Sequence, residues 1–565
     1  MGSFENIKTR GDLAGLLNIP SSKLSYILYI KKIENLYSSF KLPKKSGGHR
    51  VINSPEEDLK DIQKSLAKFL SRQQKIIWDA RGINQNISHA FIEGKNIISN
   101  AENHMNKRFI LNVDLEDFFD SFHFGRVRGF FAQNRDFRFP IDIATIIAQI
   151  SCYNRTLPQG APSSPIITNL ICNILDIRLL KISKKYRVNY TRYADDLTFS
   201  TNDRSFSDKY MKFLVEISLE IKHAGFMINN KKTRLQLKDS RQEVTGLIVN
   251  KKVNVKKEYY KKTRAMADNL YRHKTFDIDG KPGTINKLEG RFSFINQLDR
   301  RNNEINRKRV ELTQKSNSRH CLNTREKGYQ YFLFYKYFFA CPKPTIITEG
   351  KTDIRYLKAA LKNLYLEFPK LIERKADGTF EFKVSFLRKT KRLKYFMELQ
   401  LDGADTLKNI YNFYNEKGRQ PNLSKYFEMK SKTKPDNPVI MVFDNEISNK
   451  NKPLYTFTNY ASTQPESKQM LMKNLSINIT NNLFLLTHQL VGQRTECEIE
   501  DLFNKKALDT KLDGKSFSKN PDTKQEYGKE YFSSYVLKNY QNIEFDNFRP
   551  MLQALNSIIE SYSKG

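Results

Sequence analysis

The chain has 565 residues and carries 96 Lys and Arg against 61 Asp and Glu, a formal net charge of +35. This charge is typical of proteins that bind nucleic-acid phosphates. The five cysteines lack zinc-finger spacing, which argues against structural zinc and favours a reducing compartment, the cytoplasm. No apolar stretch approaches the length of a membrane span, so we expect no membrane partner. The length predicts several domains.

Three aspartates on predicted strands are the first sign of chemistry. The apolar run at residues 109–113 leads into Asp114, and β-prone segments flank the sequence Tyr-Ala-Asp-Asp that ends in Asp195 and Asp196. An aspartate pair alone is often only a turn that hydrogen-bonds its own backbone. Carboxylates from separate segments, however, can share the two Mg²⁺ ions, about 3.5–4 Å apart, of a phosphoryl-transfer site.

A Pro- and Gly-rich turn lies between these segments. It has the sequence Leu-Pro-Gln-Gly-Ala-Pro-Ser-Ser-Pro at residues 157–165 and precedes an apolar helical stretch. With Asp114 before it and Tyr-Ala-Asp-Asp after it, the chain resembles the reverse transcriptases. The resemblance implies an α+β right-hand polymerase, with fingers and palm in residues 1–240. It also implies Mg²⁺-dependent catalysis, with Asp114, Asp195 and Asp196 as catalytic metal ligands.

The same resemblance implies nucleotide-binding roles for four further residues. Phe119 lies where the family places the bulky side chain that blocks a 2′-hydroxyl, and Gln159 lies in the positioning turn. Arg50 follows a glycine turn in the fingers segment and is preferred there because a guanidinium can grip phosphate oxygens bidentately. Lys232 is preferred over Lys231 as proton donor to the leaving pyrophosphate, although both could be solvated surface lysines.

Two short signatures narrow the resemblance to the retron enzymes. These are Asn-Ala-x-x-His, formed by Asn100 and His104 with the residues between them, and Val-Thr-Gly at residues 244–246. The resemblance implies a cognate non-coding RNA, deoxynucleotides and an RNA-linked single-stranded DNA (msDNA) as partners, with Asn100 and His104 binding RNA. The alternative for His104 is a histidine satisfied in the core or capping a helix.

Residues 241–335 are predicted to form a helical, RNA-binding thumb. Charged segments of helical period occur at residues 256–273 and 284–309, with a glycine-containing turn between them. In retron enzymes this region grips a structured RNA stem, which implies RNA contacts for Arg291, Arg300 and Arg301, with Arg307 and Lys308 as further candidates. A solvated helix face is the alternative.

After residue 335 the pattern changes to alternating strands and helices. One buried strand ends in Glu349, followed by a glycine, Asp353 and an apolar-periodic helix, and a later strand ends in Asp444-Asn445-Glu446. This alternation predicts an α/β domain with a mainly parallel sheet over residues 336–565, with ligands at the carboxyl ends of the strands.

This domain resembles the TOPRIM domain, especially that of the overcoming-lysogenization-defect nucleases. The match consists of Glu-Gly-x-x-Asp, a glycine turn at residues 401–404 and the acidic pair, which departs from the usual Asp-x-Asp. Glu500 lies in an acidic segment similar to the one that completes the nuclease site, although an ordinary helix start is the alternative. The resemblance implies a second Mg²⁺ site, with Glu349 moving protons and Asp353, Asp444, Glu446 and Glu500 as ligands.

Together, the resemblances imply a retron reverse transcriptase fused to a TOPRIM nuclease that cuts a nucleic-acid target in antiphage defence. Priming would start from a guanosine 2′-hydroxyl of the cognate RNA. TOPRIM nucleases of this kind often associate, which favours a homo-oligomer. A group II intron-like or other domesticated reverse transcriptase is the alternative of the same class. A non-catalytic nucleic-acid-binding scaffold is the alternative of another class.

Overall fold

The computed structural model describes residues 7–44, 47–82, 86–311, 322–400, 407–415, 420–461 and 464–564, with the backbone alone at 307–311 and 564. These residues form two compact units. The first contains Met1–Lys257 and Leu298–Leu312, and the second contains Glu258–Gln297 and Thr313–Gly565. This division differs from the three predicted domains, because the predicted thumb is shared between the two units.

The first unit is a helical layer around an antiparallel sheet. Its helices are α1 (Arg10–Leu16), α2 (Ser21–Ser25), α3 (Glu57–Arg81), α4 (Ile97–Glu102), α5 (Phe124–Gln133), α6 (Ile141–Ser151), α7 (Ser164–Lys185) and α8 (Phe206–His223). Its strands are β1 (Tyr37–Pro43), β2 (His49–Pro55), β3 (Phe109–Glu116), β4 (Asn189–Tyr193), β5 (Asp196–Thr201), β6 (Met227–Ile228), β7 (Arg234–Leu237), β8 (Glu243–Val244) and β9 (Leu247–Ile248).

The palm-like sheet has the order β4-β5-β3-β6, and β7 also pairs with β3. Strand β3 is central, and its residues are buried at almost every position, which explains its nearly continuous apolar sequence. Helices α5, α6, α7 and α8 contribute apolar side chains to the same core as β3, β4 and β5. The predicted strand before Asp114 is confirmed, and it continues two residues further, to Glu116.

The predicted fingers segment is an antiparallel hairpin of β1 and β2. Leu42 pairs with Arg50, and Ser39 pairs with Asn53 and donates a hydrogen bond to its side chain. Residues 45 and 46 of the predicted glycine turn lie outside the described residues.

The second unit contains a helix pair and an α/β region. Its helices are α9 (Lys257–His273), α10 (Ile285–Glu311, divided between the units after Gln297), α11 (Thr324–Phe334), α12 (Lys351–Asn363), α13 (Lys391–Met397), α14 (Lys408–Asn415), α15 (Leu423–Ser431), α16 (Pro453–Tyr460), α17 (Pro465–Asn474), α18 (Lys505–Leu508), α19 (Lys529–Lys538) and α20 (Arg549–Lys564). Its strands are β10 (Asp277–Ile278), β11 (Lys281–Pro282), β12 (Thr345–Ile347), β13 (Ile372–Arg374), β14 (Phe380–Phe382), β15 (Ser385–Phe386), β16 (Val439–Val442), β17 (Ser476–Thr480), β18 (Leu483–Leu486), β19 (Ser516–Phe517) and β20 (Glu526–Tyr527).

The main sheet of the second unit has the order β15-β12-β16-β18-β17. The first four strands are parallel and β17 is antiparallel to β18, so the predicted mainly parallel sheet is confirmed. The predicted glycine turn at residues 401–404 lies outside the described residues. In the part of the chain that the structure describes, no helix combines the length and the apolar composition that crossing a membrane requires.

The predicted thumb forms no core of its own. Leu270 and Tyr271 of α9 and Phe292 of α10 join the aromatic side chains of α11 and Phe427 in a single core. The ring of Tyr271 lies 4.9 Å from that of Phe427. The apolar stripe of α9 is therefore covered by the α/β region, which explains why the second unit begins at residue 258.

Candidate active sites

The three predicted polymerase aspartates meet at one end of the first sheet. Tyr193 pairs with Asp196 across the β4–β5 hairpin, and Ala194 adopts a positive φ of 55° in its turn. Asp114 of β3 is the direct cross-strand partner of Asp196, and the amide of Leu115 donates to the carbonyl of Asp195 at 3.1 Å. The hairpin and the strand therefore bring together carboxylates that are about 80 residues apart in sequence.

These carboxylates carry like charges, which repel one another. Burial raises the pKa of Asp195, and Asp114 raises it further. Burial, Asp195 and Asp114 together raise the pKa of Asp196 to about 7. Crowded, partly desolvated carboxylates gain most from a hard divalent cation, so this set of oxygen donors fits Mg²⁺.

The carboxylates alone form no closed metal cage. Among the described residues, no group of three or more His, Cys, Asp or Glu side chains has the geometry to hold a metal ion. Mg²⁺ commonly keeps several water and phosphate ligands in addition to one or two carboxylates, so an open arrangement suits it.

Lys232, and not Lys231, occupies the acidic site. Its Nζ donates to the Asp114 carboxylate oxygens at 2.9 and 3.1 Å, and this bond raises the pKa of Lys232. A cavity of about 330 Å³ opens beside this pair. It is lined by Asn112, Val113, Asp114, Asp196, Thr198, Lys231, Lys232, Arg234, Glu243, Thr245 and Gly246. Thr245 and Gly246 of the Val-Thr-Gly signature therefore line the cavity beside the aspartates.

The positioning turn packs against the fingers hairpin. The amide of Asn53 donates to the carbonyl of Gln159 at 2.8 Å. Gly160 has a φ of +119°, and a Cβ there would lie only 2.7 Å from the carbonyl oxygen of Asn53. Only glycine fits this position without displacing backbone, so the Leu-Pro-Gln-Gly sequence and strand β2 form one joint.

Two further residues, Arg50 and Phe119, are predicted to bind the nucleotide. Arg50 is exposed on β2, and its positive charge partly offsets the rise in the pKa of Asp195 that burial and Asp114 cause. Phe119 is half-buried, with its ring edge-on to Phe118 at 5.5 Å. An exposed guanidinium near the aspartates has the chemistry to hold a triphosphate.

A buried ion pair anchors the hairpin from behind and is not apparent in the sequence. Arg192 of β4 binds Asp176 of α7 bidentately, through Nε at 2.9 Å and Nη2 at 2.8 Å. Tyr190 donates to Asp176 at 2.8 Å, and Arg192 also donates to the Asn169 side chain at 3.1 Å. Arg192 is completely buried, so the strand leading to the turn that carries Asp195 is fixed by charge as well as by packing.

The structure does not support the predicted RNA-binding role of Asn100 and His104. Both are completely buried, so neither presents a group to RNA. Thr191 donates to Asn100 Oδ1 at 2.6 Å and must therefore accept from His104 Nε2, which lies 2.7 Å away. His104 Nδ1, at 2.7 Å from Ser200 Oγ, is then left as an acceptor. His104 is thus a neutral bridge between β4 and β5, the alternative that its sequence left open.

The predicted thumb arginines have internal partners. Arg291 donates to Thr263 Oγ1 at 2.9 Å and lies 3.9 Å from the Tyr259 ring centroid. Arg301 is paired with Glu102 at 2.6 Å, and Arg300 is exposed. The side chains of Arg307 and Lys308 lie outside the described residues. Arg291 and Arg301 therefore have structural roles, and an RNA grip would have to compete with those contacts.

The acids predicted in the second unit also converge. Strands β12 and β16 are adjacent and parallel, so their carboxyl ends meet. The amide of Asp444 donates to Glu349 Oε1 at 3.0 Å, and the amide of Ile499 donates to Asp444 Oδ1 at 2.8 Å. Asp353 lies in the first turn of α12 and accepts from the Gly350 amide at 2.8 Å. Asp444 therefore links the strand ends to the segment that carries Glu500.

Burial and mutual repulsion raise the pKa values of four of the acids in this second cluster. Burial raises the pKa of Glu349 well above its usual range, and Asp444 adds to the effect. Burial and Asp444 raise the pKa of Asp353 to about 6, and burial raises that of Glu500 to about 7. Burial also raises the pKa of Glu446, which contacts Lys452 at 2.6 Å. This donor set has an excess of carboxylates and fits a divalent cation.

No sequence motif indicates two further neighbours of this cluster. Lys529 Nζ lies 3.2 Å from Glu500 and 3.3 Å from Glu498, and the ring of His488 lies 3.5 Å from Asp444 Oδ1. Both are single residues with no adjacent motif, and only the folded chain brings them to the acids. Glu500 itself lies on a short 3₁₀ helix, Ile499–Leu502, and is almost completely buried.

Comparisons with known proteins agree with the polymerase geometry. Residues 42–257 match the family model "Reverse transcriptase (RNA-dependent DNA polymerase)". The retron Ec86 reverse transcriptase of Escherichia coli is 36% identical over 256 residues, covering 44% of this chain and 72% of that protein. The retron Mx65 reverse transcriptase of Myxococcus xanthus is 30% identical over 276 residues, covering 46% of this chain and 62% of that protein.

Among solved structures, telomerase from Candida albicans aligns with a TM-score of 0.31 and 12% identity, covering 53% of this chain and 60% of that one. A score this low establishes no common fold. The sequence relatives are the stronger finding, because more than two thirds of the Ec86 enzyme aligns with this chain. The chain therefore belongs to the retron reverse transcriptases.

Proposed function

We propose that the first unit is a Mg²⁺-dependent RNA-directed DNA polymerase. The observation that carries this proposal is the pairing of Asp114 with Asp196 across β3 and β5, with Asp195 beside them in the hairpin turn. Bound Mg²⁺ would neutralise the charge that develops on the reacting phosphate oxygens. Asp114, Asp195 and Asp196 would hold the ions.

Other residues of the unit would bind and orient the nucleotide. Arg50 would hold the triphosphate, Gln159 would position the template and nucleotide, and Phe119 would exclude a 2′-hydroxyl so that deoxynucleotides are used. Lys232 would give a proton to the leaving pyrophosphate, because its ammonium group already lies within hydrogen-bond distance of Asp114.

Family membership supports a more specific proposal. The enzyme would copy part of its own structured non-coding RNA, starting from the 2′-hydroxyl of a guanosine. That oxygen would attack the α-phosphorus of the first deoxynucleotide and pyrophosphate would leave, so the DNA stays linked to the RNA as msDNA. The net charge of +35 would favour binding of both nucleic acids. The enzyme would act in the bacterial cytoplasm.

The polymerase proposal is tested by incubating the purified protein with template RNA, Mg²⁺ and deoxynucleotides. We expect complementary DNA from the wild type, none from Asp195→Asn, and normal synthesis from Asp142→Asn, an exposed acid of α6 that serves as the matched control. Absence of DNA from the wild type would favour the non-catalytic scaffold. The nucleic acid that copurifies tests the retron assignment: a branched RNA–DNA hybrid is expected, whereas an unbranched RNA would favour an intron-like enzyme.

As a second candidate function, we propose that the α/β region of the second unit is a Mg²⁺-dependent TOPRIM nuclease. The meeting of Glu349, Asp353 and Asp444 at the ends of two parallel strands favours it. Glu446 and Glu500 would complete the ligand set. Glu349 would move protons, since burial keeps its pKa high.

Cleavage of DNA and RNA substrates with Mg²⁺ tests this function directly. Glu446→Gln should abolish cleavage, whereas Glu373→Gln, an exposed acid of β13, should not. In cells, the RNA–DNA hybrid would restrain the nuclease until phage infection disturbs it. A strain carrying Glu349→Ala should then lose phage resistance, and retained resistance would contradict the defence role.

A further inference from the structure

A second surface of the α/β region combines cations with aromatic rings. It lies where helix α12 packs against the β13–β14 hairpin. Its residues are far in sequence from the polymerase aspartates. We call it the cation–ring face. Its members are Lys358, Lys362, Arg374, Tyr365, Phe380, Phe382, Phe386 and Tyr540.

Each cation of this face lies over two rings. Lys358 Nζ is 5.6 Å from the centroid of Phe382 and 5.3 Å from that of Phe386. Lys362 Nζ is 5.7 Å from Phe380 and 5.2 Å from Tyr540. Contact with a ring leaves the N–H groups on the other side of a cation free to bind an anion.

Arg374 extends the same arrangement onto the hairpin. Its Cζ lies 5.8 Å from the Tyr365 centroid and 6.0 Å from that of Phe380. Arg374 is also the cross-strand partner of Phe380, so the two share one face of the hairpin. The five rings pack against the buried core and contact one another edge-on, but each is only half-buried and keeps part of its surface accessible.

The charges of the face are uncompensated. In the described part of the chain, Lys358, Lys362 and Arg374 form no ion pair with a carboxylate. Lys358 and Lys362 are also four residues apart on α12, a spacing at which like charges repel. Burial, and the charge of Lys362, lower the pKa of Lys358. The folded chain therefore holds Lys358 and Lys362 close together, although no acidic side chain among the described residues pairs with either.

The other face of the same hairpin is neutralised. Glu373 pairs with Lys383 at 2.9 Å, and Glu381 pairs with Lys375 at 3.0 Å and with Lys343 at 3.5 Å. Alternation along a strand places Glu373 and Glu381 opposite to Arg374 and Phe380. The hairpin therefore separates its paired cations from its unpaired ones.

We propose that the cation–ring face binds single-stranded nucleic acid, with Lys358, Lys362 and Arg374 on phosphates and the half-buried rings stacking on bases. Unpaired cations alone would accept any polyanion. Accessible rings between them favour a strand whose bases are unstacked, as in single-stranded DNA or RNA. This surface shares no residue with either acidic site, so the inference holds whether or not the nuclease is active.

The test compares two triple variants of the full chain with the same loss of charge. Lys358→Gln/Lys362→Gln/Arg374→Gln removes the cation–ring face, and Lys343→Gln/Lys375→Gln/Lys383→Gln removes the paired cations behind it. Fluorescence anisotropy with single-stranded DNA and RNA oligonucleotides gives the affinity and its salt dependence. Since the proposed polymerase unit would also bind nucleic acid, photo-crosslinking locates the oligonucleotide on the chain.

We expect the first triple variant to bind at least one oligonucleotide about tenfold more weakly, with crosslinks in residues 351–386 lost. The slope of log affinity against log salt should fall by about 2, as expected for three phosphate contacts with a single strand. The paired-cation variant should stay within about twofold of the wild type, because its cations already have partners. The arm that loses more affinity, DNA or RNA, identifies the strand that is bound.

Three further measurements separate the alternatives. Lys358→Arg/Lys362→Arg should retain binding, and normal thermal unfolding and DNA synthesis by the Gln variants would show that they fold. Tyr540→Leu/Phe386→Leu should weaken binding with the salt slope unchanged. Equal losses in both triple variants, no crosslink at the face, or poly-glutamate binding as tightly as the oligonucleotides would overturn the proposal, the last in favour of an acidic protein partner.

Discussion

The ammonium of Lys232 lies between the two carboxylate oxygens of Asp114, at 2.9 and 3.1 Å. A metal ion held by Asp114 would compete with this ammonium for the carboxylate oxygens, and the released ammonium would then be free to protonate a leaving phosphate. Lys232→Gln should therefore lower the Mg²⁺ concentration for half-maximal activity while slowing nucleotide incorporation by about 10²-fold, a typical general-acid contribution.

Single-nucleotide incorporation measured over a range of Mg²⁺ concentrations and pH checks this prediction. Lys231→Gln is the matched control, because the neighbouring lysine lies in the same cavity and has no ion pair among the described residues. Equal effects of the two substitutions would show that only the general positive charge matters.

Gly160→Ala should disturb the joint between the positioning turn and the fingers hairpin. The new Cβ would meet the Asn53 carbonyl oxygen at 2.7 Å, and the φ of +119° is strained for alanine. We expect a loss of roughly 1–3 kcal/mol in the free energy of unfolding and a raised KM for deoxynucleotides. Steady-state kinetics and denaturant unfolding measure both.

Gly129→Ala provides the control for that substitution. Gly129 lies within α5, and nothing is within 4 Å of a Cβ built there, so alanine should be neutral or slightly stabilising. An unchanged KM in Gly160→Ala would separate the turn from nucleotide binding.

The burial of neutral His104 predicts that the first unit loses stability in acid. Burial lowers its pKa to about 3, from 6.5 in the unfolded chain. As pH falls below 6.5, the unfolded chain takes up a proton that the folded chain refuses, so stability is lost progressively towards pH 3. His104→Gln should be less stable than the wild type at pH 7, by roughly 1–3 kcal/mol, and the difference should shrink towards pH 5.

Urea unfolding at several pH values measures that difference, with His223→Gln, an exposed histidine of α8, as the control. A gap between wild type and His104→Gln that does not change with pH would contradict the neutral bridge. Loss of DNA synthesis in His104→Gln at normal RNA affinity would support a role in positioning the catalytic hairpin.

The raised pKa of Asp196 predicts the opposite pH dependence of stability in the metal-free protein. Its folded pKa of about 7 is above the usual 3.8, so its contribution to stability is complete below pH 3.8 and is lost as pH rises through 7. Without metal at pH 8, Asp196→Asn should melt at a higher temperature than the wild type, and Mg²⁺ should remove the difference by stabilising only the wild type. Asp142→Asn should melt like the wild type under both conditions.

The strands around the polymerase aspartates could be predicted from sequence because long alternating or apolar segments fix which residues pair. Segment 109–116 and the hairpin that presents Asp195 and Asp196 are examples. The roles of Asn100 and His104 could not be predicted, because a short motif does not indicate burial. Their partner Thr191 is 87 residues from His104, so only the folded chain identifies it.

Helical periodicity in residues 256–273 predicted an apolar stripe but not what would cover it. The aromatic residues of α11 and Phe427 cover it, which moved the boundary of the second unit into the predicted thumb. The convergence of Glu349 and Asp444 was predictable because parallel strands place their carboxyl ends together. Lys529 joined that cluster without any sequence signal, since its contact with Glu500 depends on how α19 packs on α12.

The hidden guanidinium–carboxylate pair behind the polymerase hairpin makes Arg192 and Asp176 a single mutational unit. Removing either member, as in Arg192→Met, leaves an unpaired charge in the buried interior. The free energy of unfolding should fall by about 3–5 kcal/mol. Replacing both with apolar residues of similar volume should cost far less, and a double-mutant cycle measures the difference. Relatives of this chain should therefore exchange these two positions together, and a lineage that altered one would first lose the rigid support of its catalytic turn.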